Sequence, residues 1–380
     1  MSESEPSNGA EPAGGHRHRP EVHACAESTS RAPFLPSDTA MAKWIRRIGS
    51  APRHFRYLAD GSRPVRDRRT LDRIAALRIP PGWRDVQIAA SPRSAIQAFG
   101  WDVKGRRQYR YHERSVELGE RRKHYRVRRL ARELPRIRHR LAADFRQNDW
   151  SREHVASIAV RLLNEGFFRV GSDRYAAENR TFGLTTLQRR HVRVDDDAIT
   201  FAFPGKHAKR QWRIIEDRAL ARAIERLLQA PGARLFRYRS DGKWVNLTAR
   251  DVNEYVRTIT GRRYTAKDFR TWGGTLRFAT VLAELGSAED ERKRKRMVAL
   301  AVRLVAAELG NTPAICRRSY VHPILIARYL DSNETIAPPT VRLRSAPTAH
   351  QPEERALIRF LDRHFPERRR RMREDERSAA

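Results

Sequence analysis

The 380-residue chain is poor in cysteine and has no long apolar run. Its two cysteines, Cys25 and Cys316, exclude a disulfide framework, and neither has the ligand spacing of a structural zinc site. No apolar run approaches the ~20 residues that span a bilayer, and no apolar segment with a cleavage site follows the N-terminus. These absences predict a soluble protein of the cytoplasm.

Acidic residues are also scarce relative to basic ones. There are 45 Asp and Glu against 78 Lys and Arg, a formal net charge of +33. Solubility needs far less charge, so the excess predicts a polyanionic partner. Nucleic acid fits best, because duplex DNA carries one negative charge per ~1.7 Å of its axis. Membrane surfaces also attract cations, but without an apolar span we expect no membrane partner.

Four short blocks contain residues suited to phosphate chemistry. They are F-F-R-V-G with Arg169, F-P-G-K-H-A-K with Lys206, K-D-F-R-T-W with Arg270, and L-G-N-T-P-A-I-C-R-R-S-Y with Tyr320. A phosphodiester under attack becomes a pentacoordinate dianion, whose oxygens guanidinium groups match in charge and geometry. A tyrosine can act as the nucleophile and store the broken bond as an ester. The blocks therefore predict phosphoryl transfer.

These blocks, with the segments around them from about residue 45 to 335, resemble the type IB DNA topoisomerases of the compact bacterial, poxvirus-like group. The resemblance implies cleavage of one strand through a 3′-phosphotyrosyl link, strand rotation that relaxes supercoils of either sign, and religation. It implies no cofactor, neither ATP nor a metal, and the chain has no Walker-type G-x-x-x-x-G-K-[ST] loop. It also implies a nucleoid-associated monomer that forms a clamp around double-stranded DNA.

In that family Tyr320 would attack the phosphate, Arg169 and Arg270 would hold its non-bridging oxygens, and Lys206 would protonate the leaving 5′-oxygen. Each residue taken alone has a plainer interpretation. A single tyrosine is more often structural, and a single cation is usually a solvated surface charge. Lys209 is as basic as Lys206 and lies three residues away. The blocks, not the residue types, single out these four.

The predicted site includes two further residues, and each of them has a second interpretation. Asn311 stands where the family has histidine in some branches and asparagine in the bacterial one, and it could donate a hydrogen bond to a phosphoryl oxygen. It could equally be a helix cap beside Gly310. Lys267 stands where tyrosine recombinases usually have the histidine of H-x-x-R. Lysine favours a DNA-contacting role in a topoisomerase, although a surface charge at a helix start remains possible.

A basic and aromatic segment near residue 110 resembles the G-R-x-Q-Y-x-Y segment of the family. A glutamine amide can contact base edges in the major groove, while arginines and tyrosine hydroxyls hold phosphates. The alternative is a basic strand edge. The predicted DNA-binding residues are Arg106, Arg107, Gln108, Tyr109, Arg110 and Tyr111.

The chain departs from the family pattern at two places. Ser172-Asp173 follows the R-V-G block where the family often has Asn-Glu, and His207-Ala208 follows Lys206 where it often has Ser-Gly. These changes bear on flanking phosphate or base contacts, not on the four central residues.

The predicted architecture is α+β, with a small β-rich N-terminal module and a mainly α-helical catalytic domain that contains a three-stranded antiparallel sheet. Low apolar content predicts a disordered tail at residues 1–41. We predict an N-terminal DNA-clamp domain at 42–112, a catalytic domain at 113–335, and a basic tail or helix at 336–380.

Local patterns place the site residues on this architecture. Three apolar-alternating segments predict the small sheet, the last with Trp212, Ile214 and Ile215, and Lys206 falls on the hairpin turn before it. A capping box predicts a helix start just before Arg270. Thr312-Pro313 predicts a helix in which Tyr320 lies about two turns from the start and which Pro323 kinks or ends.

Two other functions share parts of this pattern. A tyrosine recombinase would use Arg169, Arg270 and Tyr320, but would act as a multimer at defined sites and exchange strands. A non-catalytic architectural DNA binder would account for the charge of +33, but gives no reason for the tyrosine block.

Overall fold

The computed structural model describes residues 43–49, 55–59, 62–261, 264–336, 346 and 348–366. The predicted tail at 1–41 and the four-arginine run at 368–371 lie outside the described residues. The chain divides into two units, one up to Ser115 and one from Val116 onward.

The N-terminal unit is a six-stranded antiparallel sheet with one helix. The strand order is β3-β2-β1-β4-β5-β6, and a small core of Ile45, Ile74, Val86, Ile88 and Ala98 joins the sheet to the helix. The elements are β1 (Trp44–Ile48), β2 (Arg56–Ala59), β3 (Arg63–Pro64), α1 (Arg68–Ala76), β4 (Arg84–Ala89), β5 (Ile96–Trp101) and β6 (Arg107–Tyr111).

The second unit is mainly helical. A three-stranded antiparallel sheet in the order β7-β8-β9 and a two-stranded sheet of β10 and β11 interrupt the helices. The elements are α2 (Glu113–Phe145), α3 (Arg152–Gly166), α4 (Asp173–Asn179), β7 (Val192–Asp195), β8 (Ala198–Pro204), β9 (Arg210–Glu216), α5 (Arg218–Gln229), β10 (Arg237–Ser240), β11 (Lys243–Asn246), α6 (Ala249–Thr260), α7 (Ala266–Leu285), α8 (Glu291–Leu309), α9 (Pro313–Ser319), α10 (Pro323–Ser332) and α11 (Pro352–His364). The predicted α+β fold class, including its small antiparallel sheet, is confirmed.

Helices α3 and α7 are the most deeply buried elements of this unit. Helix α3 packs against α6, α7 and β9, and α7 packs against α8 and α11. Both helices bury side chains around most of their circumference, as expected of helices covered on several sides. They give the side chains at their ends a rigid base.

Part of the segment predicted as a basic tail or helix is a packed helix. Leu357, Phe360 and Leu361 of α11 belong to the main core. Arg138 donates to both oxygens of the buried Glu354 carboxylate at 2.7 and 2.8 Å. Burial raises the pKa of this carboxyl, but the bonds and charge of Arg138 outweigh it and hold the pKa below its usual value.

The apolar alternation does not give the buried face of strand β9. Trp212 and Ile214 are 55% and 58% exposed, whereas Ile215 is buried. Gln211 pairs with Phe203, and Arg213 with Phe201, so these two polar residues share the inner face with buried aromatic rings. Alternating apolar residues identified the strand, but the adjacent pair Ile214 and Ile215 left open which face is buried. A shift of one residue exchanges the two faces.

The predicted helix around Tyr320 also differs from the structure. Thr312 caps α9 as expected, accepting from the Ile315 amide, but α9 ends at Ser319, directly before Tyr320. Pro323 occupies the first turn of α10 instead of kinking or ending a helix. Proline is favoured there because the first helical residue needs no amide hydrogen bond.

Among the described residues, no single helix has the length and apolar character needed to cross a bilayer. Helices α8 and α9 pass that test only when they are taken together, and they are bent by 95° at the break between them.

Two buried histidines contact each other near the tyrosine segment. The rings of His124 and His322 lie 4.3 Å apart between centroids. Burial, the largest cause in each case, lowers the pKa of His124 from 6.5 to about 4 and that of His322 from 6.5 to about 2. Nearby positive charge on Lys123 lowers both further. Both rings are therefore neutral at pH 7.

These shifts predict acid sensitivity of the fold. Below pH 6.5 the unfolded chain binds protons that the folded histidines do not, so the free energy of unfolding falls as the pH drops. We expect a loss of about 2 kcal/mol per histidine between pH 6.5 and pH 5. Urea denaturation at pH 7 and pH 5 measures it.

The control separates the pair from other titrating groups. The double variant His124→Gln, His322→Asn should lose less stability than wild type over this range, since asparagine can still accept from the Ile324 amide as His322 does. The exposed His139 on α2 provides His139→Asn, which should behave like wild type. An unchanged pH dependence in the double variant would refute the assignment.

Candidate active site

Arg270 lies in the second turn of α7 and is 3% exposed. The helix start is fixed by Asp268, which accepts from the amide and hydroxyl of Thr265 at 2.9 Å each and pairs with Arg126 at 2.7 Å. The guanidinium donates to the carbonyl oxygens of Phe167 and Leu309. Burial, and then the like charge of Arg169, lower the pKa of Arg270 to about 10, so it stays protonated at neutral pH.

Arg169 follows α3 and is held by the turn between α8 and α9. Its Nη2 donates to the Gly310 carbonyl at 2.9 Å and to the Asn311 side-chain oxygen. Burial lowers the pKa of this guanidinium as well. The carbonyls at the C-terminal end of a helix lack intrahelical partners and carry partial negative charge. The end of α8 is therefore a natural place to hold two arginines.

The backbone of Arg169 is fixed by the segment T-F-G-L-T-T at 181–186. The Leu184 amide donates to the Arg169 carbonyl and the Thr185 amide to the Val170 carbonyl, both at 2.8 Å. Gly183 permits this approach, because a Cβ there would lie 2.7 Å from the Arg169 oxygen and 2.6 Å from the Gly171 Cα. The two parts of the arginine motif are thus one hydrogen-bonded unit.

Asn311 is placed to act as a donor. Its side-chain oxygen accepts from Arg169, and its Nδ2 is buried with no hydrogen-bond partner among the described residues. Thr312, not Asn311, caps α9, so the side chain is not engaged as a helix cap. An unpaired buried donor costs about 1–3 kcal/mol, which a ligand oxygen would recover.

Tyr320 lies directly after α9 with its ring half-buried. Its carbonyl accepts from the Thr275 hydroxyl at 2.7 Å, and the Arg270 Cζ is 5.3 Å from the ring centroid. Burial raises the pKa of the phenol, but the positive charges of Arg270, Arg169 and Lys267 together outweigh it, and the pKa lies below its usual value. The phenol therefore lies within the field of these cations.

The two lysines have different positions. Lys267 is exposed in the first turn of α7, near enough for its charge to act on Tyr320. Lys206 lies on the turn between β8 and β9 and is exposed. Within the described residues it makes no hydrogen bond or ion pair, and its ammonium lies in solvent. The structure thus brings together Arg169, Arg270, Asn311 and Tyr320, with Lys267 nearby, but not Lys206.

The basic and aromatic segment forms β6 at the edge of the N-terminal sheet. Arg106 and Gln108 bind the Asp102 carboxylate at 2.7 and 3.0 Å. The Arg107 guanidinium lies 4.0 Å from the Phe99 ring centroid. The rings of Tyr109 and Tyr111 are stacked with centroids 5.8 Å apart, and Arg110 donates to the Arg78 carbonyl at 2.9 Å.

Two residues of the site were missed by the sequence reasoning. Gln211 and Arg213 line a small pocket together with Arg169 and Arg270, and aromatic rings such as Phe167 complete its wall. Burial, followed by the charge of Arg169, lowers the pKa of Arg213. Side chains on the same face of a strand are two residues apart. A sequence analysis that placed Ile215 on the inner face would therefore have placed Arg213 and Gln211 there too.

A metal site has no support among the described residues, where no group of three or more His, Cys, Asp and Glu side chains is arranged to hold an ion. The expectation of chemistry without a cofactor stays a prediction.

The site is a cluster of buried guanidinium groups beside a half-buried tyrosine, and comparison with known proteins gives the family. The catalytic core of eukaryotic DNA topoisomerase I matches residues 114–343. The N-terminal domain of bacterial DNA topoisomerase IB matches residues 54–102. The chain belongs to the type IB DNA topoisomerase family, in its bacterial and poxvirus-like group.

Individual relatives agree. DNA topoisomerase 1B of Acanthamoeba polyphaga mimivirus is 32% identical over 298 residues, 76% of this chain and 88% of the viral protein. DNA topoisomerase I of Monkeypox virus is 24% identical over 236 residues, 62% of this chain and 72% of the viral protein. Such matches support an isomerase activity. Among solved structures, a post-cleavage complex of the XerH site-specific recombinase with palindromic difH substrate covers 52% of this chain and 50% of its own, at 14% identity and a TM-score of 0.33.

The tight contact at Gly183 predicts the cost of a side chain there. Gly183→Ala should lower the free energy of unfolding by about 1–3 kcal/mol, because the atoms in the way belong to the backbone and cannot rotate aside. Gly119→Ala in α2 is the matched control, since nothing lies within 4 Å of its Cβ position. It should gain about 0.5–1 kcal/mol. Urea denaturation compares them, and equal stabilities would contradict the prediction.

Proposed function

We propose that the chain relaxes supercoiled double-stranded DNA by cutting one strand, letting it rotate and resealing it, for supercoils of either sign. The observation that carries the proposal is the surroundings of Tyr320, whose phenol pKa is lowered by Arg270, Arg169 and Lys267 against the effect of burial. A phenol made more acidic beside fixed guanidinium groups is equipped to attack a phosphodiester. Membership of the type IB family supports the same function.

In the proposed cleavage step, the Tyr320 phenol gives its proton to water and its oxygen attacks the scissile phosphorus. The bond from phosphorus to the 5′-oxygen breaks as the 3′-phosphotyrosyl ester forms, and the 5′-oxygen leaves as a hydroxyl. Arg169 and Arg270 donate to the non-bridging oxygens through guanidinium N–H groups other than those bonded to backbone carbonyls. The Nδ2 of Asn311, which has no partner within the described part of the chain, gives a further, neutral hydrogen bond.

Lys206 is the proposed donor of the proton that the 5′-oxygen takes up. Its place on an exposed turn lets a long side chain reach into the site once DNA is bound. The ester keeps the free energy of the broken bond, so the 5′-hydroxyl can attack it and reseal the strand without a nucleotide.

The N-terminal unit is proposed to contact the duplex through Arg106–Tyr111, with a monomer acting as a clamp. Asp102 orients Gln108 and Arg106, and exposed Tyr111 adds a hydroxyl. Amide groups suit base edges, and arginines suit phosphates. Binding would be mostly independent of sequence and sensitive to salt.

Tyr320→Phe tests the nucleophile. The variant should bind duplex DNA as wild type does and lose plasmid relaxation entirely, since no covalent ester can form. Tyr175→Phe, at a 48% exposed tyrosine on α4, should stay active. Assays run in EDTA without nucleotide, followed by identification of the DNA end attached to protein, give the readout.

Two results would count against the proposal. Relaxation by Tyr320→Phe would remove this tyrosine from the chemistry. Strand exchange between duplexes at one defined site, by a multimer, would point to recombination instead of relaxation.

Lys206→Ala tests the acid. We expect cleavage slowed by about 10²–10⁴-fold, and recovery when the bridging 5′-oxygen of the substrate is replaced by sulfur, which leaves without needing a proton. Lys209→Ala separates the two neighbouring lysines and should cleave the oxygen substrate normally. If sulfur brings no recovery to Lys206→Ala, another group supplies the proton.

A further inference from the structure

Gln211 contacts the turn between β8 and β9 and the turn between α8 and α9, although its residue type does not mark it as functional. The side chain is 7% exposed and lies on the inner face of β9. A buried amide is expected to have partners for its donors and acceptor. Those partners show what Gln211 holds in place.

Its first set of contacts is with the turn that carries Lys206. The Gln211 Nε2 donates to the Lys209 carbonyl at 3.3 Å, and the same carbonyl closes the turn by accepting from the Gly205 amide at 2.8 Å. A Cβ at Gly205 would lie 2.6 Å from the Gln211 Cγ. The glutamine therefore packs directly against the residue before Lys206.

Its second contact is with the turn between α8 and α9. Gly310 has a φ of +59°, and a Cβ there would lie 2.4 Å from the Gln211 Oε1 and 2.9 Å from Nε2. The carbonyl of Gly310 accepts from Arg169 at 2.9 Å, and Asn311 follows it. The amide of Gln211 thus lies against the backbone that holds the arginine.

Arg213 fixes the orientation of this amide. Its Nη2 donates to the Gln211 Oε1 at 3.0 Å, which leaves Nε2 to face the Lys206 turn. Arg213 is itself held by a second bond, from Nη1 to the Trp212 carbonyl at 3.2 Å.

We infer that Gln211 is a positioning residue that holds the Lys206 turn against the Gly310–Asn311 turn. In this arrangement the proton donor Lys206 and the phosphate-binding Arg169 meet at one phosphate. The Gly310 turn has other anchors in Arg169 and Arg270, whereas the turn of Lys206 is exposed. Loss of Gln211 should therefore displace mainly the lysine. The inference rests on the proposed function, in which Lys206 is the acid.

The test is Gln211→Met, which keeps the length and packing of the side chain and removes its donor and acceptor. On an oligonucleotide with an ordinary 5′-oxygen, single-turnover cleavage should slow by about 10²-fold, the loss expected from a misplacement of about 1 Å. On the matching substrate with a bridging 5′-sulfur, the rate should return to near wild type. Ile214→Met, on the exposed face of the same strand, should match wild type on both substrates.

A double-variant cycle adds a readout that a purely structural role would not produce. If Gln211 acts through Lys206, then Gln211→Met combined with Lys206→Ala should cleave the oxygen substrate no more slowly than Lys206→Ala alone. Additive losses would overturn the inference, and so would a Gln211→Met variant that cleaves both substrates equally slowly.

The inference and the function on which it depends fail in different ways. Wild-type protein that forms no covalent complex would end the proposed function itself. Wild-type protein that cleaves, with Lys206→Ala rescued by sulfur and Gln211→Met not rescued, would leave the function intact and refute only the role of Gln211. A melting temperature measured for each variant identifies loss of folding, and Gln211→Ala repeats the comparison if the methionine does not fit.

Discussion

The site depends on how two buried guanidinium groups are kept charged. Arg270 donates to the carbonyls of Phe167 and Leu309, and Arg169 to that of Gly310, so the ends of α3 and α8 supply neutral oxygens instead of carboxylates. A carboxylate in those places would cancel the positive charge that a phosphate needs. Carbonyl oxygens accept from Nη atoms of both arginines and leave the net charge in place.

Helix α7 sets the spacing between the Arg270 guanidinium and Tyr320. Asp268 fixes the start of the helix, Arg270 follows in the second turn, and Thr275 donates to the Tyr320 carbonyl at 2.7 Å. All three are at most 3% exposed. One helix therefore carries the guanidinium and also holds the backbone of Tyr320, which links the positions of the two groups. The effect of the cations on the phenol pKa follows from that geometry.

Much of this arrangement can be predicted from the sequence, because it depends on local signals. The capping box before Arg270, the Thr312-Pro313 helix start and the glycine stop at Gly310, with a φ of +59°, each involve residues within four positions of one another. The phase of β9 could not be predicted from apolar alternation, because its inner face is occupied by Gln211 and Arg213. Those side chains are buried by the aromatic residues of β8 and by the turn after α8, which are contacts between distant parts of the chain. A functional pocket is where polar residues replace the apolar pattern.

The exposed position of Lys206 follows from the same reasoning about charge. Arg169, Arg213 and Arg270 already share one small pocket, and burial lowers the pKa of each of them. A fourth cation held in that pocket without an anion would add further repulsion and lose its hydration. Placing the lysine on a solvated turn avoids this cost until a phosphate brings negative charge into the pocket. An exposed turn has few contacts to fix it, and the buried Gln211 amide at the base of this turn, which accepts from Arg213 at 3.0 Å, provides one.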